Sequence, residues 1–505
     1  MELSKYQKEI FEVYHTTNKN IIINAVPGAG KTFTLIELAK QTPIYKKCSF
    51  CAFNKSIADE LSRKLPSHFK AATLHSTGMG ILMKYYGRGL KVEENKTFIC
   101  LKKEFDLSRK GFKAKKDENR YLFLLAELYD AYRINVIDEA YPFLKLRKIA
   151  DEYGIYWNEI ILKDFEKVLL IMCHKVDQFM KKKYNLIDFT DMLYIVKFID
   201  DKYIAKHDVV FVDELQDFSE LQKIFVKRLK KINGRFVCTG DKFQSIYHFN
   251  YSSVSVFESF EKMQNTISLP LSISYRCSKN IVNEALTVFE NSGIKYNEKS
   301  LCEGSVRLGN VDEIREGDYV LCRNNKPLVS LWLQLLANNK RAIIYGKDFL
   351  KGLNYIIEDL DSIGSVLDAE KILYDKLDGL IKDLKERGVK DPTYHPAYIK
   401  MDENIGIFIT LMEYFDISNK NPVQKSIEVL KDIFSDDLID DNRIKLLSIH
   451  KAKGLERKRV FFYLPHLIPS KFARNEQQLY AENCLRFVAV TRAQKELIYI
   501  KDEVV

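Results

Sequence analysis

Over the first 86 residues the hydrophobic pattern switches repeatedly between two periods. Apolar runs of strand length, Ile21–Ala25, Cys48–Phe53 and the shorter Ala71–Leu74, alternate with segments of helical spacing, Thr32–Lys40, Ser56–Leu65 and His75–Tyr86. Unbroken apolar runs suit strands buried on both faces, and a βαβαβα order predicts a parallel sheet covered by helices. From about Gly87 to Tyr184 strand runs nearly vanish and lysines become frequent, as in KKEFDLSRKGFKAKK, which predicts a helical insertion. The α/β alternation resumes at DVVFVD (Asp208–Asp213) and RFVCT (Arg235–Thr239). A second α/β unit starts near Arg276, with strands predicted at Asp318–Cys322 and Arg341–Tyr345. A helical stretch, about Lys347–Asp441, interrupts it before strands at Arg443–Ser448, Arg459–Tyr463 and Leu497–Ile500. The predicted organisation is 1–86 with 185–275, carrying the insertion 87–184, then 276–346 with 442–505, carrying the insertion 347–441.

Composition changes this picture little. A chain of 505 residues, 46% hydrophobic and 29% charged, has material for several globular domains. The net charge of +10 suits a polyanionic partner without demanding one. Of nine cysteines the only close pair, Cys48-x-x-Cys51, lies inside a strand run, and no second pair at similar spacing completes a zinc site. Buried thiols in a reducing compartment are therefore expected. Met1-Glu2-Leu3-Ser4 opens no signal sequence and no stretch reaches the roughly 18 apolar residues of a membrane span. A cytoplasmic protein with no membrane partner is expected.

Candidate chemistry begins at NAVPGAGKTFTL, Asn24–Leu35, between a strand run and a helix. A G-x-x-x-x-G-K-[ST] loop binds phosphates because successive backbone N–H groups point inward and glycines permit close approach. Gly28, Gly30, Lys31 and Thr32 fill the later positions. Ala25 stands at the first glycine's place, with Val26, Pro27 and Ala29 completing the loop. Lys31 would pair the β/γ-phosphates of ATP and the Thr32 hydroxyl would coordinate Mg²⁺. VVFVDE, Val209–Glu214, reads as a buried strand ending in two acids, the Walker B pattern. Asp213 is placed to hold Mg²⁺ and Glu214 to take a proton from the attacking water. A GTPase would need Asn-Lys-x-Asp, and none of Asn18-Lys19, Asn54-Lys55 or Asn95-Lys96 continues to it. A small-molecule kinase would have no use for a second α/β unit with its own arginines.

Six further segments carry a family resemblance. IDFTDML (Ile187–Leu193), VDELQD (Val212–Asp217), GDKFQSIYHF (Gly240–Phe249), SYRCSKNIV (Ser274–Val282), SIHKAKGLE (Ser448–Glu456) and FVAVTRA (Phe487–Ala493) resemble, in order, segments of superfamily 1 DNA helicases of the UvrD/Rep (PcrA-like) type. The resemblance spans Tyr6 to Ala493. It implies an α/β fold of two RecA-like parallel-sheet domains, 1A and 2A, each with a helical insertion, 1B and 2B. The second insertion is shorter than in the large bacterial members.

The resemblance also implies roles. Gln7 would read adenine, Tyr275 would stack on the base, and Arg276 and Arg492 would act as arginine fingers on the γ-phosphate. Gln244 would sense the γ-phosphate and Glu456 would contact the nucleotide. Phe53, Asn54, Lys55, Thr73 and His75 would touch DNA from the first unit, and His450 and Lys453 from the second. Tyr247 and Phe249 would supply the base-stacking surface. The implied activity is ATP-dependent translocation on single-stranded DNA, 3′→5′, with strand separation at single-strand/duplex junctions. A protein-stripping translocase, a 5′→3′ helicase or an RNA helicase are the alternatives. Replication or repair proteins are the expected further partners, with a monomer or weak self-association, in the cytoplasm or nucleoid, or in the host cytoplasm for a phage or virus. About a dozen residues follow Ala493, so no fused nuclease is expected. Three departures from the family pattern stand out: Lys242 replaces a small residue or proline, Asn250 replaces an arginine, and Phe487 replaces a tyrosine.

Overall fold

The apolar runs of the first unit become strands of a six-stranded, all-parallel sheet. In spatial order these are Phe69–Thr73, Cys48–Ala52, His207–Val212, Lys230–Gly240, Asn20–Ala25 and Thr266–Leu271. Ile21, Ile22, Ile23, Phe50, Val210, Phe211, Val212 and Phe236 are fully buried, because these central strands are covered on both faces, whereas the edge strand Thr266–Leu271 alternates, with Ser268 and Pro270 exposed. The computed structural model of the chain describes all residues except 1–2, 53–54, 109–114, 138–141, 154, 156, 247–253, 299–301, 347–356, 358–359, 361–362, 387–388, 390, 417–420, 436–441, 474–475 and 503–505. The chain divides into two compact units, one of Met1–Ala25 with Ala29–Ser272, the other of Val26–Gly28 with Ile273–Val505.

Within the first unit, helices Lys96–Glu104, Lys115–Ile134, Pro142–Tyr153 and Glu159–Met180 form the segment predicted as helical. They enclose a core of their own, with Leu101, Leu125, Leu128, Leu146, Phe165 and Met172 buried among themselves. Two devices tie this bundle to the sheet domain. One is a short parallel pairing of Lys91–Val92 with Leu186–Ile187. The other is a buried ionic cluster. Arg133, 1% exposed, donates to Asp188 through both terminal nitrogens at 2.9 Å and to Asp191 at 2.7 Å, and also pairs with Asp130, while Lys96 pairs with Asp191. Asp188 and Asp191 belong to IDFTDML, so that segment is the anchor of the inserted bundle.

The second unit holds a seven-stranded parallel sheet. Its order is Ser305–Leu308, Ala493–Ile500, Arg457–Tyr463, Tyr319–Cys322, Ile444–Ser448, Ala342–Tyr345 and Phe434–Ser435. Its inserted helices, Val366–Glu386, Pro396–Asp416 and Pro422–Ile433, behave differently from those of the first unit. Leu373, Leu377, Ile407 and Phe408 share one continuous core with sheet residues Val320, Ile344 and Phe461.

Two details depart from the sequence reading. Phe434–Ser435, inside the stretch predicted as helical, is an edge strand beside Ala342–Tyr345. Two residues carry no periodicity, so the pairing is invisible in the pattern. Not every thiol is buried: Cys173 is exposed and Cys302 half-buried. Cys173 lies on the helix Glu159–Met180, and a small apolar residue on the wet face of a helix leaves no compositional trace. Cys48 and Cys51 are buried in one strand, where residues three apart point to opposite faces. Burial pushes both thiols up to about 12, so both are protonated at neutral pH.

Candidate nucleotide site and nucleic-acid contacts

In a parallel sheet every strand delivers its following loop to the same edge, which brings the loops after Asn20–Ala25 and His207–Val212 together. Ala25 is buried at its strand end, still paired with Leu271, and has no positive φ. The first loop position therefore needs a small residue and not glycine's freedom. That freedom is used further on, where Gly28 has φ 69° and Gly30 φ 80°. Gly30 precedes the helix Lys31–Lys40 and no side chain caps it, which leaves the first N–H groups of the helix for a ligand.

At the tip of the second strand, Asp213 is buried and accepts hydrogen bonds from Thr32 Oγ1 and Thr239 Oγ1, each at 2.7 Å, and from the Glu214 amide at 2.9 Å. Glu214 has φ 54°, a left-handed conformation costly for a residue with a side chain. It turns the carboxylate back over the loop, where Lys31 Nζ lies 3.0 Å from both its oxygens. Gln216 Nε2 donates to the same carboxylate at 2.6 Å. Asp241, also buried, accepts from Gln244 Nε2 at 2.6 Å and from the Phe243 amide. Lys31 thus sits among three carboxylates. Burial works against its charge, but Glu214, Asp241 and Asp213 outweigh it and raise the ammonium above its ordinary value. Asp213 and Asp241 are both raised, first by burial; for Asp213 the Glu214 charge comes next, and for Asp241 Lys31, Gln244 and the Phe243 amide only partly offset it. The cluster carries more negative than positive charge and favours an added cation.

Of the remaining nucleotide candidates, Gln7, Arg276, Glu456 and Arg492 are engaged within their own units. Gln7 is buried, and its amide completes a capping box for helix Lys5–Thr16: Oε1 accepts from the Ser4 amide at 2.9 Å and Nε2 donates to Thr34 Oγ1 at 3.1 Å. In the second unit, Arg276 is ion-paired with Glu456, whose other oxygen accepts from Gln494 at 2.9 Å. Arg492 is buried and donates to the carbonyls of Val488 and Leu455 at 3.0 and 3.2 Å. Tyr275 is 47% exposed.

Of the nucleic-acid candidates, Lys55 is exposed at the start of its helix. Thr73 caps helix Leu74–Tyr86 by accepting from the Ser76 amide. His75 lies edge-on to Phe189, and burial lowers its pKa. His450 is pushed down to about 3, first by burial and then by Arg323, Lys453 and Lys451. It is therefore neutral at physiological pH, able to donate a hydrogen bond but not to neutralise a phosphate. Lys453 ends the same short helix and is half-buried. Phe53, Asn54, Tyr247 and Phe249 lie outside the described residues.

The sequence reading passed over Thr239, Asp241 and Gln216. Thr239 and Asp241 flank Gly240 at the end of an apolar run, and Gln216 is a neutral polar residue two places after the Walker B acids. A polar residue closing a buried strand on the loop edge is the signal that would have found the first two.

Comparison with known proteins gives the chain its relatives. Residues 5–265 match the UvrD/REP helicase N-terminal domain and residues 163–503 the UvrD-like helicase C-terminal domain. F-box DNA helicase protein 1 of Schizosaccharomyces pombe is 23% identical, covering 98% of this chain and 57% of that protein. ATP-dependent DNA helicase Rep of Buchnera aphidicola is 21% identical over 99% of this chain and 93% of its own length. For ATP-dependent DNA helicase PcrA of Bacillus subtilis the figures are 22%, 96% and 81%. The chain thus spans little more than half of the first relative and most of the other two. With two domains of one family matched across nearly all its length, the chain belongs to the UvrD/Rep-type superfamily 1 helicases.

Proposed function

We propose that this chain, an ATP-dependent DNA helicase by family, moves 3′→5′ along single-stranded DNA and separates strands at junctions with duplex. The observation that carries the reading is the constellation Lys31, Thr32, Asp213 and Glu214, assembled from two strand ends on one sheet edge. Lys31 neutralises the β/γ-phosphates of ATP, with the loop Ala25–Gly30 and its amides beneath them. Glu214 abstracts the proton of the attacking water, and its left-handed backbone holds the carboxylate over the loop. Gln244 senses the γ-phosphate through the segment that also holds Asp241.

The residues present fit Mg²⁺. Asp213 and Thr32 already share a hydrogen bond at the strand tip, and Asp213 lies with Glu214 and Asp241 around the single ammonium of Lys31. Among the described residues no group of three or more His, Cys, Asp or Glu is arranged to hold a metal alone. The ion would therefore need oxygens of the triphosphate and water besides Thr32 and Asp213, and it would supply charge neutralisation on the phosphates.

Gln7 reads the adenine edge once its amide leaves the cap, and Tyr275 stacks on the base. Arg276 and Arg492 supply positive charge to the γ-phosphate, which for Arg276 requires release from Glu456. Lys55, Thr73, His75, His450 and Lys453, together with Phe53, Asn54, Tyr247 and Phe249, form the DNA contacts.

Steady-state ATPase measured with and without single-stranded DNA tests the reading, followed by displacement of 3′- and 5′-tailed duplexes of DNA and RNA. ATPase stimulated by single-stranded DNA, with unwinding of the 3′-tailed DNA duplex, is the expected result. Turnover indifferent to DNA overturns it. Stimulation without displacement of either duplex points instead to a protein-stripping translocase. Lys31→Ala and Glu214→Gln each abolish turnover; a Glu214→Gln protein with wild-type turnover removes Glu214 from the base role.

A further inference from the structure

Gln216 is fully buried, yet it is not packing material. Its side-chain amide bridges two segments of the nucleotide site. Oε1 accepts from the Asp241 backbone amide at 2.9 Å, while Nε2 donates to Glu214 Oε2 at 2.6 Å and lies 3.4 Å from Asp217 Oδ2. The Asp241 amide can only donate, so the Gln216 oxygen must face it, and the NH₂ must then face Glu214. The orientation is fixed by chemistry at both ends. Gln216 is also locked in place: a Cβ on Gly240 would fall 2.6 Å from its Oε1, and Ser245 Oγ donates to its carbonyl at 3.4 Å.

We propose that Gln216 is a positioning residue for hydrolysis, holding the Glu214 carboxylate at the angle from which it takes the proton and tying that angle to the segment Gly240–Ser245. Lys31 and Gln216 both engage the Glu214 oxygens. Lys31 leaves for the phosphates when ATP binds, and Gln216 then becomes the fixed partner of the base. Because the same amide grips the Asp241 N–H, any shift of Gly240–Ser245 is transmitted to Glu214 through one side chain.

The inference rests on Glu214 being the base, and the variants separate the two. Gln216→Met keeps the volume and removes both hydrogen bonds. Gln216→Glu keeps an acceptor for the Asp241 amide but removes the donor to Glu214. Turnover saturated with single-stranded DNA is measured for both, alongside ATP affinity by a fluorescent nucleotide, DNA affinity by anisotropy, and the thermal midpoint. Both variants are expected to lose about ten- to hundredfold in kcat, in the range of a misaligned general base, with ATP and DNA dissociation constants within about threefold of wild type. Wild-type kcat in Gln216→Met, with Glu214→Gln inactive, overturns the positioning role and leaves the base intact. A parallel loss of kcat, both affinities and thermal midpoint assigns Gln216 to packing and equally overturns it. An active Glu214→Gln protein defeats the underlying reading instead.

Discussion

Replacing Arg133 by Met tests whether the inserted bundle is anchored by charge. The guanidinium lies in a site of two cations, Arg133 and Lys96, and three carboxylates, Asp130, Asp188 and Asp191. Asp130 is about half exposed, so it can turn to solvent when its partner goes. Asp188 and Asp191 cannot, being buried, and after the substitution Lys96 is the one cation left beside them among the described residues. One carboxylate is then buried without a cation of its own, though Thr97 and backbone amides still donate to the pair, and breaking a buried ion pair in this way costs about 3–5 kcal/mol. Arg133→Lys should lose less, about half of this, because one ammonium cannot hold both Asp188 oxygens. Urea titration, with hydrogen exchange read on helix Lys115–Ile134, measures the loss where it occurs. The double variant Arg133→Met/Asp188→Asn should recover part of it, since the orphaned charge is removed. Burial by itself would raise Asp188, but Arg133 and Lys96 hold it below its ordinary value of 3.8. Its contribution is therefore full above pH 3.8 and is lost as pH falls through the lowered value, so the wild-type advantage should shrink in acid. A loss under about 1 kcal/mol, or strict additivity of the two substitutions, refutes the argument.

Three shorter predictions concern the two units. Glu214→Gly and Glu214→Ala should both be inactive, but the glycine variant should be more stable by about 1 kcal/mol, because only alanine suffers the left-handed backbone; equal melting curves would contradict the strain. Ser4→Ala should cost about 1 kcal/mol of stability through the lost cap while leaving preference for ATP over GTP unchanged, whereas Gln7→Ala should alter both, as calorimetry and competition assays can show. His450 has a folded pKa of about 3, so its stabilising share is present above its ordinary 6.5 and falls away as pH drops below it. His450→Asn should therefore flatten the decline in melting temperature between pH 6.5 and 4.5, and an unchanged slope counts against its burial.

Much of this architecture is legible in the sequence because a parallel sheet writes itself as unbroken apolar runs. DVVFVD and RIKLLS announce central strands, and the loop after Ile21–Ala25 is defined by its own glycines and lysine. What the pattern hides is pairing at a distance. Nothing in IDFTDML says that its two aspartates close on Arg133 and Lys96, because ion pairing between separate elements has no period. Gln216 is hidden for the same reason: a polar residue in a turn looks the same whether it faces water or orients a carboxylate. Gln7 shows the opposite case. Its position was clear, but not that its amide doubles as a helix cap, since Ser4-x-x-Gln7 fits both uses.

The strand order of the first sheet has a consequence for how the chain is made. Cys48–Ala52 lies beside His207–Val212, and Asn20–Ala25 is flanked by Lys230–Gly240 and Thr266–Leu271, partners some 160 to 250 residues downstream. During synthesis the first strands leave the ribosome with most of their hydrogen-bonding neighbours still untranslated. The inserted bundle, whose described core residues lie between Phe98 and Tyr184, can close while they wait. The phosphate loop is thus among the earliest segments made and among the last to acquire its shape, and until residue 271 emerges its apolar strand is a natural client for a chaperone.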